Sequence, residues 1–287
     1  MKRNFTSFRF FGLCILLTAI LLQGCDKATE SPRDDNNVSF RHFTIERAYT
    51  LENSSTDYET DSDLTIGCRA NIFLPEQFLG HDMTAFRDSV LKKAFDTIAP
   101  DAALAAETCF RRSGAEIGYE LKPIVIAQQE ADSLANTIAS LNNFDGFTEI
   151  QGKIAALTPE YVSYAITSSS YYPRAAHGMY GTSYLVFSTK ADKVVGLSDF
   201  FTQEGVDALP RILRKRAQSL RSYIGATNLT AIPADGNYYI NADGDLVFVY
   251  QPYEIASYAQ GEISIDVEPY MVSDYLTSLG KQVLLNE

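Results

Sequence analysis

Residues 64–75 read LTIGCRANIFLP, and the pattern of apolar residues in this stretch decides the fold class. Apolar side chains occupy every second position: Leu64, Ile66, Cys68, Ala70, Ile72 and Leu74. A period of two is typical of a strand that has one face in the core and a more polar face outside. We therefore predict a half-buried strand here, and we expect Pro75 to close it because proline cannot donate to a strand ladder.

Helical and strand patterns follow this strand in mixed order. Helices are predicted over about 83–98, with Asp82 or Thr84 as the N-cap, and over 101–111, 126–142, 206–222 and 269–279. Pro210 would lie in the first turn of the fourth helix. Strands are predicted as a hairpin over 148–172 and at 182–189, 194–197, 237–241, 245–250 and 261–267, and Asp243-Gly244 marks a second hairpin.

Strands that are interleaved with single helices and joined in local hairpins predict an α+β fold. We expect a largely antiparallel sheet with several packing helices. The chain divides into an N-terminal half, 38–160, and a C-terminal half, 161–287, which we interpret as two subdomains that share one sheet.

The N-terminus has the pattern of an export signal. An apolar run over 10–22 follows the basic residues Lys2, Arg3 and Arg9. The run is shorter than the roughly 20 residues of a membrane-spanning helix. The run ends in Leu22-Gln23-Gly24-Cys25, which indicates a lipoprotein cleavage site. We predict that residues 1–24 are removed, that Cys25 carries the lipid, and that 25–37 form a polar tether. The alternatives are an uncleaved signal anchor and an ordinary secretory signal.

The chain is acidic, with a formal net charge of −12. The predicted signal holds three basic residues and no acidic ones, so its removal takes the net charge to −15. A chain of this charge repels nucleic acid and anionic lipid headgroups. We therefore predict no nucleic-acid partner, and we expect the membrane to be reached through the lipid on Cys25. The predicted location is the bacterial cell envelope, on the inner or the outer membrane and facing outside the cytoplasm.

Two cysteines remain in the body of the chain once Cys25 is lipidated. Cys68 lies in the strand pattern and Cys109 in a helical pattern about forty residues later. An exported location permits a disulfide between them. The alternative is a pair of buried thiols that act as small apolar groups.

The C-terminal half carries an ordered set of motifs. They are YYPRAAHG at 171–178, YLVF at 184–187, VGLSDFF at 195–201, LVFVYQPYEIASYAQG at 246–261 and VEPY at 267–270. This set resembles the domain of unknown function 3298 family, which occurs in the ectodomains of lysozyme-sensing anti-sigma factors and beside some peptidoglycan deacetylases. Residues 61–172 look like the companion domain, number 4163, that usually precedes it. Arg174 and Ala175 stand where the family often has two glycines.

The resemblance implies binding or sensing more than chemistry, because the chain shows neither an anti-sigma segment nor a deacetylase domain. We predict a lipid-anchored module that binds a cell-envelope ligand, such as a basic, lysozyme-like protein or peptidoglycan. The alternatives are an envelope hydrolase that acts on peptidoglycan or glycan, and a passive structural lipoprotein. Whether the protein is an enzyme stays open, with binding favoured over catalysis.

The candidate binding residues lie in two of these motifs: Tyr171, Tyr172, Arg174, His177, Tyr180, Tyr253, Glu254 and Tyr258. Tyrosine suits interfaces because it offers a large contact area and a polar tip, although it also suits sheet cores. His177 is either a loop residue that binds backbone groups or a general base. Glu254 either accepts a hydrogen bond from a ligand or binds N–H groups of the turn over 256–261. The three histidines show no metal-ligand spacing, and we predict neither a metal nor a cofactor.

Overall fold

The computed structural model describes residues 38–53, 64–97, 101–124, 144–219, 232–234 and 236–287. The predicted signal, Cys25, the tether and the predicted helix over 126–142 lie outside the described residues. Within the described segments, no helix combines the length and the apolar character needed to cross a bilayer.

The described chain forms a large sheet and a small sheet. The large sheet contains β1 (Val38–Asn53), β2 (Thr65–Phe78), β3 (His81–Asp82), β4 (Tyr119–Pro123), β5 (Gly146–Leu157), β6 (Tyr161–Tyr171), β7 (Met179–Ser188) and β8 (Lys193–Val195). Its order is β4-β1-β2-β5-β6-β7-β8, with β3 paired to β2. Among the strands that the structure describes, only β2 and β5 form a parallel pair. The small sheet has the order β11-β10-β9, with β9 (Tyr238–Ile240), β10 (Leu246–Tyr250) and β11 (Ile263–Val267).

Helices pack on these sheets and complete the α+β architecture that the sequence predicts. They are α1 (Thr84–Phe95), α2 (Ala102–Glu116), α3 (Leu197–Phe200), α4 (Gln203–Ser219) and α5 (Ser278–Leu284). Within the described segments, 3₁₀ helices cover Tyr258–Gln260 and Pro269–Tyr275. The prediction of an α+β fold with a largely antiparallel sheet is confirmed.

Two apolar cores lie on opposite faces of the large sheet. One core contains α1, α2, the apolar residues of β2 and Phe187 of β7. The other contains β9–β11, α4 and α5, together with Val186, the neighbour of Phe187. Since neighbouring residues of a strand point to opposite faces, β7 contributes to both cores. The predicted subdomain boundary falls in the turn between β5 and β6, inside one continuous sheet, and the division itself stays a prediction.

The alternation in β2 is confirmed, but its predicted end is wrong. Ile66, Cys68, Ala70 and Ile72 are fully buried. The strand continues through Pro75 to Phe78. Pro75 pairs with Phe40, where the β1–β2 register shifts. A bulge of this kind tolerates proline because the ladder is already interrupted there.

The helix that contains Pro210 begins earlier than predicted. Thr202 accepts hydrogen bonds from Gly205 N to its hydroxyl and from Val206 N to its carbonyl, and these bonds start α4 at Gln203. Pro210 therefore lies in the helix interior and not in the first turn.

Two other helix ends also differ from the prediction. α1 ends at Phe95, because Asp96 has a φ of 45° and Arg112 binds the carbonyls of both residues. The predicted C-terminal helix is split, because Leu276 is extended and pairs with Phe201.

Cys68 and Cys109 are free thiols in the structure, so the disulfide alternative is not formed there. Cys68 is fully buried against the helices, and burial raises the pKa of its thiol far above the usual range. Burial also raises the pKa of Cys109, although Arg112 opposes the shift. Few thiolate ions form at such sites, which makes both thiols slow in exchange reactions.

Candidate functional site

The loop between β6 and β7 meets the loop between β10 and β11 at one edge of the molecule. The rings of His177 and Tyr258 stack with centroids 4.0 Å apart. The ring of Tyr253 lies 5.4 Å from that of Tyr258, and the ring of Tyr180 lies 6.1 Å from it. We call these four residues the aromatic cluster. The structure thus brings together half of the predicted binding residues from motifs about 75 residues apart.

The hydrogen bonds of His177 define its tautomer. Nδ1 lies 2.9 Å from the carbonyl oxygen of Gly178, which can only accept, so Nδ1 carries the proton. Nε2 then accepts from the hydroxyl of Tyr253 at 3.2 Å. The same Gly178 carbonyl accepts from the Tyr258 hydroxyl at 2.6 Å. His177 therefore joins the two loops, which supports its role as a loop residue that binds backbone groups.

Tyr253 lies at the tip of the second loop in a conformation that is unusual for a large side chain. Its φ is 75°, in the left-handed region, and its side chain is 58% exposed. Such a conformation costs roughly 1–2 kcal/mol for an L residue and often marks a functional position. Tyr180 is also exposed, so the aromatic cluster presents two tyrosine rings to solvent.

The first loop keeps a glycine-like backbone although the glycines are replaced. Arg174 has a φ of 70°. The family that these motifs resemble often has glycine at this position. The Arg174 side chain is exposed. Tyr171 is half-buried at the end of β6, opposite Phe147.

Tyr172 does not belong to this site, so that part of the prediction is wrong. It is 7% exposed, its hydroxyl donates to Ser113 at 3.1 Å, and it lies 3.2 Å from the Thr148 hydroxyl. Its ring stacks on Tyr119. Burial raises the pKa of its hydroxyl. Because Tyr172 follows Tyr171 directly, it points to the other side of the chain and enters the core that holds α1 and α2.

Glu254 binds the backbone, but not at the predicted turn. Its carboxylate accepts from Gln251 N at 2.6 Å. The turn that follows is capped by Gln260, whose side chain accepts from Ser257 N. Glu254 also lines an open cleft of about 270 Å³. The other residues of this cleft are Lys93, Ser183, Gly236, Asn237 and Gln251.

Two side-chain amides that sequence reasoning missed attach the small sheet to β7. Gln251 accepts from Thr182 N and donates to Thr182 O, each at 2.8 Å. Asn237 accepts from Tyr184 N at 3.1 Å and donates to the carbonyls of Thr182 and Val249. These amides imitate a neighbouring strand along the edge of β7. A lone Gln or Asn gives no sequence signal of such a role.

The arrangement around His177 is suited to binding. Of the residues that the structure describes, none places a carboxylate or serine on either nitrogen of His177, so the triad that a hydrolase of this type would need is not assembled there. Over the same residues, no group of three or more potential metal ligands is placed to hold an ion. What the site offers is an exposed aromatic surface held in place by backbone hydrogen bonds.

Comparisons with known proteins agree with the fold and the motifs. Residues 198–269 match the model of a family described as Protein of unknown function (DUF3298), which confirms the resemblance in that region. A crystal structure of a DUF3298 family member from Bacteroides fragilis NCTC 9343 is similar, with 16% identity and a TM-score of 0.57 over 88% of this chain and 100% of that one.

A DUF3298 family protein from Pseudomonas aeruginosa PAO1 has 14% identity and a TM-score of 0.50 over 85% of this chain and 97% of that one. At these identities the likeness shows the fold alone. No curated protein matches the chain.

Proposed function

Since the chain shares its fold with DUF3298 proteins and carries their motif at 198–269, we propose that it is a binding or sensing module of the cell envelope. The observation that carries the proposal is the aromatic cluster. Its four residues come from two neighbouring parts of the chain, and Tyr180 and Tyr253 are exposed at the surface. The Gly178 carbonyl binds His177 and Tyr258, and His177 in turn binds Tyr253. A surface that is ordered before binding loses little entropy when a partner docks.

The proposed partner is a basic envelope protein, such as a lysozyme. Exposed tyrosines serve as anchors at protein interfaces because they bury a large area with few torsions. The net charge of −12 favours encounter with a basic protein, since complementary fields raise association rates. Peptidoglycan remains the alternative ligand. The remaining alternatives, a hydrolase and a passive structural lipoprotein, predict no saturable binding of a basic protein.

The proposed location rests on the sequence alone. The signal pattern and Cys25 support a lipid-anchored, extracytoplasmic protein, which would place the aromatic cluster where envelope proteins can reach it. The tether over 25–37 is long enough to let the domain stand away from the bilayer.

Calorimetric titration of the purified protein with several lysozymes tests the proposal. We expect saturable binding that weakens with salt, because exposed charges are screened over about 8 Å at physiological ionic strength. Tyr253→Ala and Tyr180→Ala should mainly raise the off-rate, whereas Tyr270→Ala, which removes an exposed tyrosine elsewhere, should have no effect. If no lysozyme produces heat at high micromolar concentration, the lysozyme version is wrong.

A further inference from the structure

The large sheet has a second face with a regular polar surface, which we call the open face. It lies opposite the core that holds α1 and α2, beside the part of the same side of the sheet that the second core covers at β6–β8. Its middle row crosses five strands in register: Thr44, Asn71, Gln151, Thr167 and Thr182. All five side chains are uncharged and can form hydrogen bonds. Strand spacing of about 4.8 Å makes this row roughly 19 Å long.

The row is partly ordered before any ligand arrives. His42 Nε2 lies 2.6 Å from Asn71 Oδ1 and 2.9 Å from Thr44 Oγ1, which fixes the β1 end. At the β7 end, Thr182 hydrogen-bonds the carboxyl group of Glu262. Gln151 lies between these ends, and its side chain is exposed.

Aromatic rings stand on both sides of the middle row. Phe73 neighbours Asn71 on the same face, is 43% exposed and stacks on His42 with ring centroids 4.4 Å apart. Tyr184 of β7 lies on the same side of the middle row as Phe73, and its ring stacks on that of Tyr239. Tyr180 of β7 lies on the opposite side of the middle row, where it pairs with Ser169. The open face therefore combines a polar centre with aromatic borders.

The middle row of the open face carries no formal charge, and an ion-paired group lies in the row beside it. Arg69 pairs with Glu46 at 2.7 Å and lies 3.5 Å from Glu149. Lys153, which pairs with Ala165, lies on the other side of the middle row, and Glu52, Glu120 and Lys122 form a further group at the β1–β4 end of this face. An uncharged row on a chain of net charge −12 does not attract a basic protein, and it offers no concentration of cations to an anion. It matches a neutral ligand that carries many hydrogen-bonding groups.

We propose that the open face binds an extended strand of N-acetylated amino sugars. Aromatic rings pack against the apolar faces of sugar rings, and the amides of Asn71 and Gln151 match the N–H and C=O of acetamido groups. The proposal does not depend on a protein partner at the aromatic cluster, with which the open face shares only Tyr180.

Titration of the purified protein with the β-1,4-linked hexamer of N-acetylglucosamine tests this site. We expect saturable binding that Phe73→Ala and Gln151→Ala each weaken by about fivefold to tenfold. Both side chains are exposed, so the variants should fold. Matched exposed residues elsewhere, Tyr270→Ala and Gln282→Ala, should bind like the wild type.

Two further arms separate the alternatives. The glucose hexamer, which lacks the acetamido groups, should bind about tenfold more weakly. Tyr253→Ala should leave the sugar affinity unchanged while it weakens a protein partner. The proposal is overturned if the amino-sugar hexamer fails to bind at about 1 mM, if Phe73→Ala and Gln151→Ala bind it normally, or if the glucose hexamer binds equally well.

Discussion

Tyr253 shows how a single residue combines strain with exposure. Its ring is held by Tyr258 and by the hydrogen bond to His177, and its backbone has a φ that glycine adopts more readily. The surrounding loop, including the Glu254 carboxylate on Gln251 N, keeps the residue in this conformation. The strain places a large ring at the surface, where a partner can contact it.

Replacing Tyr253 with small residues should reveal the backbone strain. Both Tyr253→Gly and Tyr253→Ala remove the ring, but alanine must still adopt a positive φ. We expect Tyr253→Gly to be more stable than Tyr253→Ala by about 1 kcal/mol in urea unfolding. At Tyr270, where φ is negative, the order should reverse because glycine is the more flexible residue. A more stable alanine variant at position 253 would contradict the strain.

Glu262 should make stability depend on pH. Burial raises the pKa of its carboxyl group above the ordinary 4.5, although hydrogen bonds from Thr182 act in the opposite direction. A carboxyl with a raised folded-state pKa costs stability as pH rises from its unfolded pKa through the folded one, because its ionised form is disfavoured in the fold. Glu262→Gln should therefore be more stable than the wild type at pH 7.

The comparison of Glu262→Gln with the wild type needs two pH values and a control. Urea unfolding at pH 7 should show the gain, and unfolding near pH 4, below the unfolded pKa, should show little difference. Glu254→Gln, which replaces an exposed carboxyl in the same loop, should give no gain at pH 7. An equal effect of Glu262→Gln at both pH values would show that ionisation is not its cause.

At the scale of elements, β7 is the strand on which the two sheets meet. On one side it pairs with β6 along its whole length. On the other side β8 covers only its last three residues, and the amides of Gln251 and Asn237 occupy the edge before them. Gly181 leaves the space in which the Gln251 side chain lies. This junction fixes the distance between the loops that form the aromatic cluster.

A methyl group at position 181 should disturb this junction. The Cβ of Gly181→Ala would lie 2.3 Å from the Gln251 side-chain oxygen, so the amide would have to move and lose its bonds to Thr182. We expect a loss of about 1–2 kcal/mol in urea unfolding. Gly196→Ala, where no atom lies within 4 Å, should cost less. In a Gln251→Ala background the Gly181→Ala change should cost almost nothing, and a full cost there would contradict this account.

At the scale of the whole molecule, one sheet separates two cores and two candidate surfaces. The aromatic cluster lies where loops of the C-terminal half meet, and the open face spans strands of both halves. The cluster suits a charged protein partner, whereas the middle row of the open face is uncharged. A protein built this way could hold both kinds of ligand at once, because the two surfaces meet only at Tyr180.

The anchor is a prediction about the whole molecule that the sequence alone carries. Cys25→Ser should release the protein from membranes, because serine cannot accept the lipid that the signal pattern predicts. Fractionation followed by a salt wash measures this, and Cys109→Ser, which changes a cysteine of the folded domain, should stay with the membrane. If the Cys25→Ser protein still pellets after the wash, the anchor assignment is wrong.

The sequence by itself determined the fold class and most of the elements. The alternation in β2, the hairpin of β5 and β6, and the Asp243-Gly244 turn are local patterns, and each is present in the structure. The family motif was also readable, because it is a linear string. Errors arose where neighbours in space outweigh local preference, as at Pro75 in a bulge and at the early start of α4.

Only the tertiary structure decided which candidate residues form a site. It separates Tyr172, which enters a core, from Tyr180, Tyr253 and Tyr258, which share a surface with His177. It also decided the roles of Gln251, Asn237 and Gly181, and the register that aligns Thr44 with Thr182 across five strands. Such contacts join residues up to about 80 positions apart, and the chain carries no local signal of them because they depend on how strands pair and loops meet.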